Sequence, residues 1–322
     1  AIDVLMPMVP MFHVSAWGMP YNAVMVGAKL VLPGPGVGDA AAMVRLINDE
    51  DVTFSLAVPT LWANISQYLQ THDLQVPSLQ RAVTGGAACP LALIEAMAGH
   101  GVALENGWGM TEISPMGSYN RHQPWYDGLD DAARGPQLLK SGRSLFGVEM
   151  RIVDEAGQRL AHDGQASGVL QVRGPWVRNG YYGQDSTNDW FDTGDVATID
   201  GQGYMQITDR IKDVIKSGGE WICSVEIENA VMAHPQVAEA AVVGVAHPRW
   251  SERPLLVVVP RQADNPPSHA ELLAFLEGKV PKWWLPDASE VLDHLPHTAT
   301  GKVSKKTLRE RYSDYAWPQL LR

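Results

Sequence analysis

The chain has 322 residues, enough for two domains or for one large domain with an appendage. Its formal net charge is −11 at pH 7 and it has no long basic run, which argues against nucleic acid as a partner. Cys89 and Cys223 are its only cysteines, and their separation favours a reducing cytoplasmic location over a disulfide framework. No apolar run reaches the roughly 18 residues of a membrane span, so no integral membrane segment is expected.

The first half of the chain alternates apolar runs typical of strands with runs typical of helices. Strands are predicted at residues 2–9, 52–58, 81–83 and 102–104, and helices at residues 40–50, 60–71 and 91–99. Asp39 is expected to cap the first of these helices, and Pro90 to open the third. Residues 12–21 are predicted to form a loop and residues 121–140 a polar surface excursion. This alternation predicts an α/β domain with a parallel sheet covered on both faces.

The pattern changes at about Gly142. Short strands at residues 148–153, 168–172, 196–199 and 204–208 predict an antiparallel sheet or small barrel beside the main body. A charged segment, Asp209–Asp213, and the paired glycines Gly218 and Gly219 then lead into a smaller α+β unit, in which Ser268 begins a capping box. A surface turn between two strands is the alternative interpretation of the charged segment.

Candidate chemistry begins with ENGWGMTE, residues 105–112, at the predicted carboxyl end of a parallel strand. This edge is the usual ligand position in an open α/β sheet. The Trp108 indole can stack on a base, Thr111 can donate to a phosphate oxygen, and Glu112 can hold Mg²⁺, which prefers oxygen ligands. A turn with a surface glutamate is an equally good interpretation of the octamer alone.

Four other places carry polar groups that could serve a ligand. Asp195 follows a Thr-Gly turn and could accept hydrogen bonds from a ribose diol, although an Asx turn explains it as well. GGAACP, residues 85–90, puts backbone donors near a helix N-terminus. Lys302 lies among small residues, where an ammonium could oppose phosphate charge, with a solvated surface lysine as the alternative. His13 and Trp17 share one segment, where a structural histidine is the alternative to a functional one.

The order of the motifs is more informative than any one of them. The series FHVSAW, GGAACP, NGWGMTE, TGD, DRIKDVIKSGGE and PHTATGK resembles the adenylate-forming acyl-CoA synthetase family over nearly all 322 residues. The resemblance is greatest to bacterial long- and medium-chain fatty acyl-CoA synthetases and their methylthioalkanoate-CoA ligase relatives. It implies a large domain, here residues 1–211, followed by a C-terminal lid, residues 212–322, that turns about a hinge at Lys212.

The reaction implied by this resemblance has two halves. A carboxylate attacks the α-phosphate of ATP to give acyl-AMP and pyrophosphate, and the thiol of CoA then displaces AMP to give acyl-CoA. The resemblance implies Mg²⁺ as the cofactor and ATP and CoA as co-substrates. The implied partners are these small molecules and the carboxylic acid, and the chain could also form a homodimer.

The resemblance also implies a role for each matching residue. The nucleotide-binding positions are Gly85, Gly86, Ala87, Asn106, Gly107, Trp108, Gly109, Thr111, Asp195, Arg210 and Lys302. Trp108, which replaces the usual tyrosine, would pack on adenine, and Asp195 would bind the ribose with the help of Arg210. Lys302, Glu112 and Thr111 would be the catalytic residues, with Glu112 as the metal ligand. The remaining implied positions are His13 and Trp17 at the acyl group and Gly218, Gly219, Glu220 and Trp221 beside CoA.

The resemblance is incomplete at the start of the chain. The glycine- and serine-rich phosphate loop of the family, TSGTTGxPKG, does not occur in these residues, and neither does the first third of the large domain. We therefore expect this chain alone to adenylate poorly. A non-catalytic remnant that binds nucleotide, acyl-AMP or a partner is the alternative. Amino-acid activation is disfavoured, because His13 stands where those enzymes carry an aspartate.

Overall fold

The computed structural model describes residues 3–184, 189–298 and 302–318, without the side chains of Trp17 and Asp131. Its helices are α1 Val14–Trp17, α2 Met19–Val26, α3 Ala40–Asp49, α4 Pro59–His72, α5 Leu91–Gly99, α6 Asp131–Leu139, α7 Ser224–Val231, α8 His269–Leu276 and α9 Lys305–Arg311. Its strands are β1 Val4–Pro7, β2 Lys29–Leu30, β3 Phe54–Ala57, β4 Arg81–Gly85, β5 Ala103–Gly109, β6 Met116–Tyr119, β7 Gly142–Ser144, β8 Glu149–Val153, β9 Ser167–Arg173, β10 Phe191–Ile199, β11 Tyr204–Arg210, β12 Ile215–Ser217, β13 Glu220–Ile222, β14 Val237–His247, β15 Ser251–Pro260 and β16 Ala288–Val291.

Contacts divide the chain into two compact units. The first comprises Ala1–Thr193 and Ala197–Ile207, and the second comprises Gly194–Val196 and Thr208–Arg322. The contacts of residues 208–211 thus group them with the second unit, four residues before the predicted division at Lys212. The hinge role of Lys212 stays a prediction.

The first unit is organised by one sheet with the strand order β2-β1-β3-β4-β5-β6-β7-β11-β10-β9-β8. From β2 to β5 the pairs are parallel, as expected from the alternation of strands and helices. The strands after β5 pair antiparallel through β6 and β7, so the predicted antiparallel strands continue the same sheet. The predicted α/β fold class is confirmed, and the change in direction falls directly after ENGWG.

The core of the parallel part lies between the sheet and helices α3, α4 and α5. Asp39 caps α3 as predicted, because its carboxylate accepts a hydrogen bond from the Ala41 N–H at 2.9 Å. Trp62 of α4 is fully buried and donates its indole N–H to the Val83 carbonyl at 3.1 Å, so the ring is buried without an unpaired donor. Burying side chains of this kind contributes about 1.5–3 kcal/mol each.

Four local predictions for the first unit are wrong. Residues 12–21 are mainly helical, forming α1 and the first three residues of α2, rather than a loop. Residues 121–140 contain helix α6 and the buried Tyr126, so this segment packs into the fold. Strand β5 extends through Gly109, so most of ENGWGMTE is strand, and Pro90 precedes the first turn of α5 as its N-cap.

The second unit is a mixed sheet covered on both faces. The long hairpin of β14 and β15 pairs on one side with β12 and β16. Alternate residues of the hairpin face opposite sides, so Val242 and Leu256 pack with α7 and α8 while Val243 and Leu255 pack with α9. Both faces are buried, which explains the continuous apolar sequence of β15. The predicted capping box at Ser268 and Glu271 is present.

Candidate active site

Glycine allows the ends of β4 and β5 to come very close. Gly85 is paired with Gly107, and a Cβ atom on Gly85 would lie 2.7 Å from the Gly107 carbonyl oxygen. Gly86 follows with φ of +83°, and both Gly86 and Ala87 are exposed. The predicted nucleotide-binding segment therefore presents backbone, and no side chain beyond a methyl group, at the carboxyl end of β4.

The neighbouring polar residues of β5 serve the fold. Asn106 is buried and donates its amide to the Leu138 carbonyl at 2.8 Å, which ties α6 to the sheet. Glu105 is also buried, and it accepts hydrogen bonds from the Tyr119 hydroxyl and from the His122 N–H at 2.7 Å. Burial, followed by the hydrogen bond and the charge of Glu105, raises the pKa of Tyr119. The predicted nucleotide contact of Asn106 is untested, and its side-chain amide already has a structural partner.

The turn after β5 brings Thr111 and Glu112 together. A Cβ atom on Gly109 would lie 2.0 Å from the Pro115 carbonyl oxygen, so only glycine permits this reversal. Thr111–Ile113 then form a single 3₁₀ turn in which Thr111 is exposed and Glu112 is partly exposed. The hydroxyl and the carboxylate lie in consecutive positions at the sheet edge, as the sequence predicts.

Glu112 is held from two directions by residues that the sequence did not single out. The Tyr181 hydroxyl donates to Glu112 Oε1 at 3.1 Å, and the Arg178 N–H donates to the Glu112 carbonyl at 2.7 Å. The Arg178 guanidinium lies between two rings, 4.1 Å from the centroid of Tyr181 and 4.3 Å from that of Phe191. No spacing signal could have found these contacts, because Tyr181 follows Glu112 by 69 residues.

The donor set at Glu112 fits one kind of metal site. Among the residues that the structure describes, no group of three or more His, Cys, Asp or Glu side chains could hold a metal ion. Mg²⁺ commonly binds through one or two carboxylates together with substrate phosphates and water. A single carboxylate at Glu112 therefore fits magnesium that arrives with a nucleotide and does not fit a site built from protein ligands alone.

Trp108 lies mainly in the core. Its side chain is 8% exposed and packs in the apolar cluster that contains Ile113 and Val148. A Cβ atom on Gly117 would lie 2.3 Å from the indole, so the ring rests against bare backbone. Only a small part of the indole is accessible, and the predicted contact with adenine stays a prediction for that part.

In the second unit, Asp195, Arg210 and Lys302 come together. Arg210 Nε lies 3.3 Å from Asp195 Oδ1, and the aspartate is buried while the arginine is exposed. Burial and the nearby Arg210 charge lower the pKa of Lys302, and Asp195 partly opposes them. Two cations thus lie near one carboxylate, so the group has a net positive charge that suits an anionic ligand. Residues 299–301 of the PHTATGK motif lie outside the described residues.

A second polar group in this unit, which we call the lysine clamp, consists of the charged residues Asp209, Glu228 and Lys305 together with Ser224. Asp209 accepts from the Ser224 N–H at 2.6 Å and from its hydroxyl at 2.7 Å. Lys305 Nζ donates to Ser224 Oγ at 2.6 Å and lies 2.7 Å from Glu228 Oε1. Sequence inspection missed the clamp, because its members come from three distant segments.

Titration of the clamp follows from burial and pairing. Burial raises the pKa of both Asp209 and Glu228, against the charge of Lys305. Burial alone would lower the pKa of Lys305, but the charges of Glu228 and Asp209 outweigh it and raise that pKa. The clamp therefore holds β11, α7 and α9 together, while Lys212, on the same charged segment, is exposed.

The two adjacent glycines form a defined turn. Strands β12 and β13 pair Ser217 with Glu220, which leaves Gly218 and Gly219 as a two-residue hairpin loop. Their φ angles are +60° and +90°, the primed turn that favours glycine at both positions. Glu220 is exposed, and the Lys216 ammonium lies 5.5 Å from the centroid of a Trp221 ring. The predicted CoA contacts of these residues are untested.

His13 begins a helix. Its Nδ1 accepts a hydrogen bond from the Ser15 N–H at 3.2 Å and caps α1, so in the neutral ring the proton is on Nε2. The side chain of Trp17, the predicted acyl gate, lies outside the described part of the structure. The acyl roles of both residues stay predictions.

The chain belongs to the AMP-binding enzyme family. That family matches residues 1–182, and its C-terminal domain matches residues 226–302. The adenylate-forming family predicted from the motif series is confirmed.

Several similar proteins are named as CoA ligases or synthetases. The chain is 48% identical over 319 residues to 3-methylmercaptopropionyl-CoA ligase of Ruegeria lacuscaerulensis, covering 98% of this chain and 59% of that protein. It is 44% identical to the long-chain-fatty-acid–CoA ligase of Thermus thermophilus, covering 97% and 59%. The structure of o-succinylbenzoate coenzyme A synthetase from Bacillus subtilis in complex with ATP and magnesium matches with a TM-score of 0.79 at 28% identity, covering 95% and 61%. The chain thus spans about three fifths of the length of these relatives.

Proposed function

We propose that this chain forms part of an ATP-dependent acyl-CoA ligase that acts on a fatty or related carboxylate. The observation that carries the proposal is the group of Asp195, Arg210 and Lys302 in the second unit. A carboxylate suited to a ribose diol lies beside two cations suited to phosphate and carboxylate oxygens. The similarity to CoA ligases supports thioester formation over other fates of an acyl adenylate.

Each residue contributes to the first half-reaction through position and charge. Asp195 accepts hydrogen bonds from the ribose hydroxyls, and Arg210 holds the aspartate in place. Lys302 stabilises the negative charge that grows on the α-phosphate as the carboxylate attacks, and burial strengthens this effect by excluding water. Thr111 donates to a phosphate oxygen. Magnesium, when bound to Glu112 and the phosphates, supplies further positive charge against the phosphate oxygens.

The second half-reaction uses the exposed glycine hairpin. Gly218 and Gly219 have no side chains, so a narrow pantetheine arm can lie against their backbone. The CoA thiol attacks the acyl carbon, the bond to AMP breaks, and AMP leaves with the electron pair. The change between the two half-reactions turns on Lys212, with residues 212–322 as the moving lid. The proposal also includes a cytoplasmic location. Whether the protein is a monomer or a homodimer can be decided by light scattering.

The similar ligases suggest the acids to test. The panel contains straight-chain carboxylates from C2 to C18 and 3-(methylthio)propionate, each with ATP, Mg²⁺ and CoA. It is applied to this chain and to any longer polypeptide that its gene encodes. Mass spectrometry measures acyl-CoA, AMP and ADP. Equal amounts of acyl-CoA and AMP are expected for at least one acid.

Two outcomes would contradict the proposal. Formation of ADP in place of AMP would exclude an acyl adenylate. Binding of AMP without turnover of any acid, by every polypeptide tested, would favour the non-catalytic alternative. None of the helices in the described part of the chain has the length and apolar character of a membrane span.

A further inference from the structure

The segment after β9 packs on the loop that contains Phe146 and Gly147. A Cβ atom on Gly174 would lie 1.9 Å from the Gly147 carbonyl oxygen, so these two loops touch backbone to backbone. Trp176 donates its indole N–H to the Phe146 carbonyl at 2.7 Å, which fixes the next residues of the same loop. The chain therefore reaches Arg178 along a defined path, all within the first unit.

Arg178 and Tyr181 then form a small assembly around Glu112. The backbone N–H of Arg178 bonds to the Glu112 carbonyl, and its guanidinium lies between the rings of Tyr181 and Phe191. Arg178 Nε is buried and has no hydrogen-bond partner among the described residues. Because Nε has no acceptor there, the contacts with the two rings are what position this guanidinium.

The direction of the Tyr181 hydroxyl follows from this stacking. The ring is held on one face by Arg178, and its hydroxyl reaches Glu112 Oε1 at 3.1 Å. A carboxylate bonded at one oxygen loses rotation about its last torsion and keeps its second oxygen for another ligand. Groups that orient a metal ligand in this way typically change metal affinity about 10–100-fold when they are removed.

We propose that Tyr181 is a positioning residue that orients the Glu112 carboxylate toward a nucleotide-bound magnesium ion, with Arg178 holding the Tyr181 ring. The inference rests on the proposed function, because it takes Glu112 as the magnesium ligand. It adds to that function two residues that no motif identifies. The competing interpretation is a surface hydrogen bond that supports only the folding of the loop.

The chain offers a closely matched control. Tyr182 is the next residue and is fully exposed, so Tyr182→Phe removes the same hydroxyl from a place without contacts. The probe is Mn²⁺ with a non-hydrolysable ATP analogue, followed by electron paramagnetic resonance. Tyr181→Phe should weaken Mn²⁺ binding in the presence of the nucleotide about 10-fold. Tyr182→Phe should leave it unchanged, and Arg178→Met should weaken it in the same direction.

Two further measurements separate positioning from folding. Affinity for the metal-free nucleotide and the urea unfolding midpoint should be the same in Tyr181→Phe as in the unsubstituted protein. Glu112→Gln should weaken Mn²⁺ binding at least as much as Tyr181→Phe, and Tyr181→Phe in that background should add nothing. If the losses of Mn²⁺ affinity from the two substitutions add, Tyr181 does not act through Glu112 and the inference is overturned.

Other outcomes are equally informative. Unchanged Mn²⁺ affinity in Tyr181→Phe, or no Mn²⁺ binding by the unsubstituted protein with nucleotide, would overturn the positioning role. If Tyr181→Phe lowers both the affinity for metal-free nucleotide and the urea unfolding midpoint, Tyr181 only supports the folding of the loop. Failure of the carboxylate panel with intact metal effects would overturn the proposed function while the positioning role stands.

Discussion

Two lysines three residues apart show opposite uses of the same charge. Burial and the nearby charge of Arg210 lower the pKa of Lys302, whereas the charges of Glu228 and Asp209 raise the pKa of Lys305 despite its burial. Their partners are divided in the same way along β11. Asp209 is buried in the lysine clamp, and the adjacent Arg210 is exposed because successive strand residues point to opposite faces.

The difference shows how one charged motif can serve both the fold and a ligand. A buried charge with partners on every side is held in place and is no longer available. A cation that faces a second cation has unbalanced charge that an anion can satisfy. The segment from Asp209 to Asp213 therefore contributes alternate residues to two tasks, with Asp213 paired to Arg309 and Arg210 paired to Asp195.

The largest expected effect comes from removing the charge of the clamp. Lys305→Met leaves Glu228 and Asp209 buried without their cation, which should lower the free energy of unfolding by about 3–5 kcal/mol. Urea unfolding at pH 7 measures this change. Lys306→Met is the matched control, because Lys306 is exposed and its Nζ lies 3.7 Å from Glu310 Oε1. This variant should change the free energy of unfolding by less than about 0.5 kcal/mol. Similar losses in both variants would mean that the clamp has no special role.

The second effect should appear in chemistry and not in stability. Lys302→Ala is expected to slow acyl-AMP formation about 100-fold or more, about 3 kcal/mol, because it removes charge from the developing transition state. Thioester formation from supplied acyl-AMP should be spared. The lowered pKa means that folding disfavours the charged lysine, so the free energy of unfolding should not fall. Equal losses in both half-reactions would remove Lys302 from its assigned role.

A third prediction uses Cys223 as a reporter of the clamp. Its thiol is buried next to Ser224 and donates to the Thr208 carbonyl, and burial raises its pKa. Cys89, in the first unit, has its pKa raised to about 12 by burial. Neither thiol should react with a disulfide reagent at neutral pH in the native protein. Lys305→Met should accelerate the reaction of Cys223 about 10-fold or more, because each decrease of about 1.4 kcal/mol in the free energy of local opening raises the rate about tenfold. The reaction of Cys89 should be unchanged. Peptide mapping distinguishes the two, and equal acceleration of both would indicate global unfolding.

The smallest effect concerns pH. Lys302 must be protonated to oppose phosphate charge, so its lowered pKa should bring the alkaline loss of acyl-AMP formation to lower pH than an ordinary lysine would give. Arg210→Gln removes one of the two causes and should move this loss toward higher pH. Single-turnover rates at saturating nucleotide separate the pH shift from weaker binding. A shift toward lower pH would show that Arg210 does not act on Lys302.

Local sequence patterns predicted those elements whose cause is local. Asp39 caps α3 and Ser268 opens a capping box because each cap involves residues two or three positions away. The apolar sequence of α2 hid the start of its helix, since Val24 and Met25 are exposed and the apolar residues follow no single face. Motif order predicted the roles of Lys302 and Glu112, which stay predictions. It assigned no role to Lys305, because only the fold shows which lysine meets Glu228.

The Gly218–Gly219 hairpin has a consequence for how fast and how tightly a ligand can bind there. Both glycines lie in a turn matched to the twist of the strands, and behind them Arg253 donates to Ser217 Oγ at 3.2 Å. The tip is therefore ordered before any ligand arrives. A ligand that docks on it need not first order a loop. At other binding surfaces, ordering costs about 0.5–1.5 kcal/mol for each side chain that is immobilised. The two glycines thus form a preorganised edge.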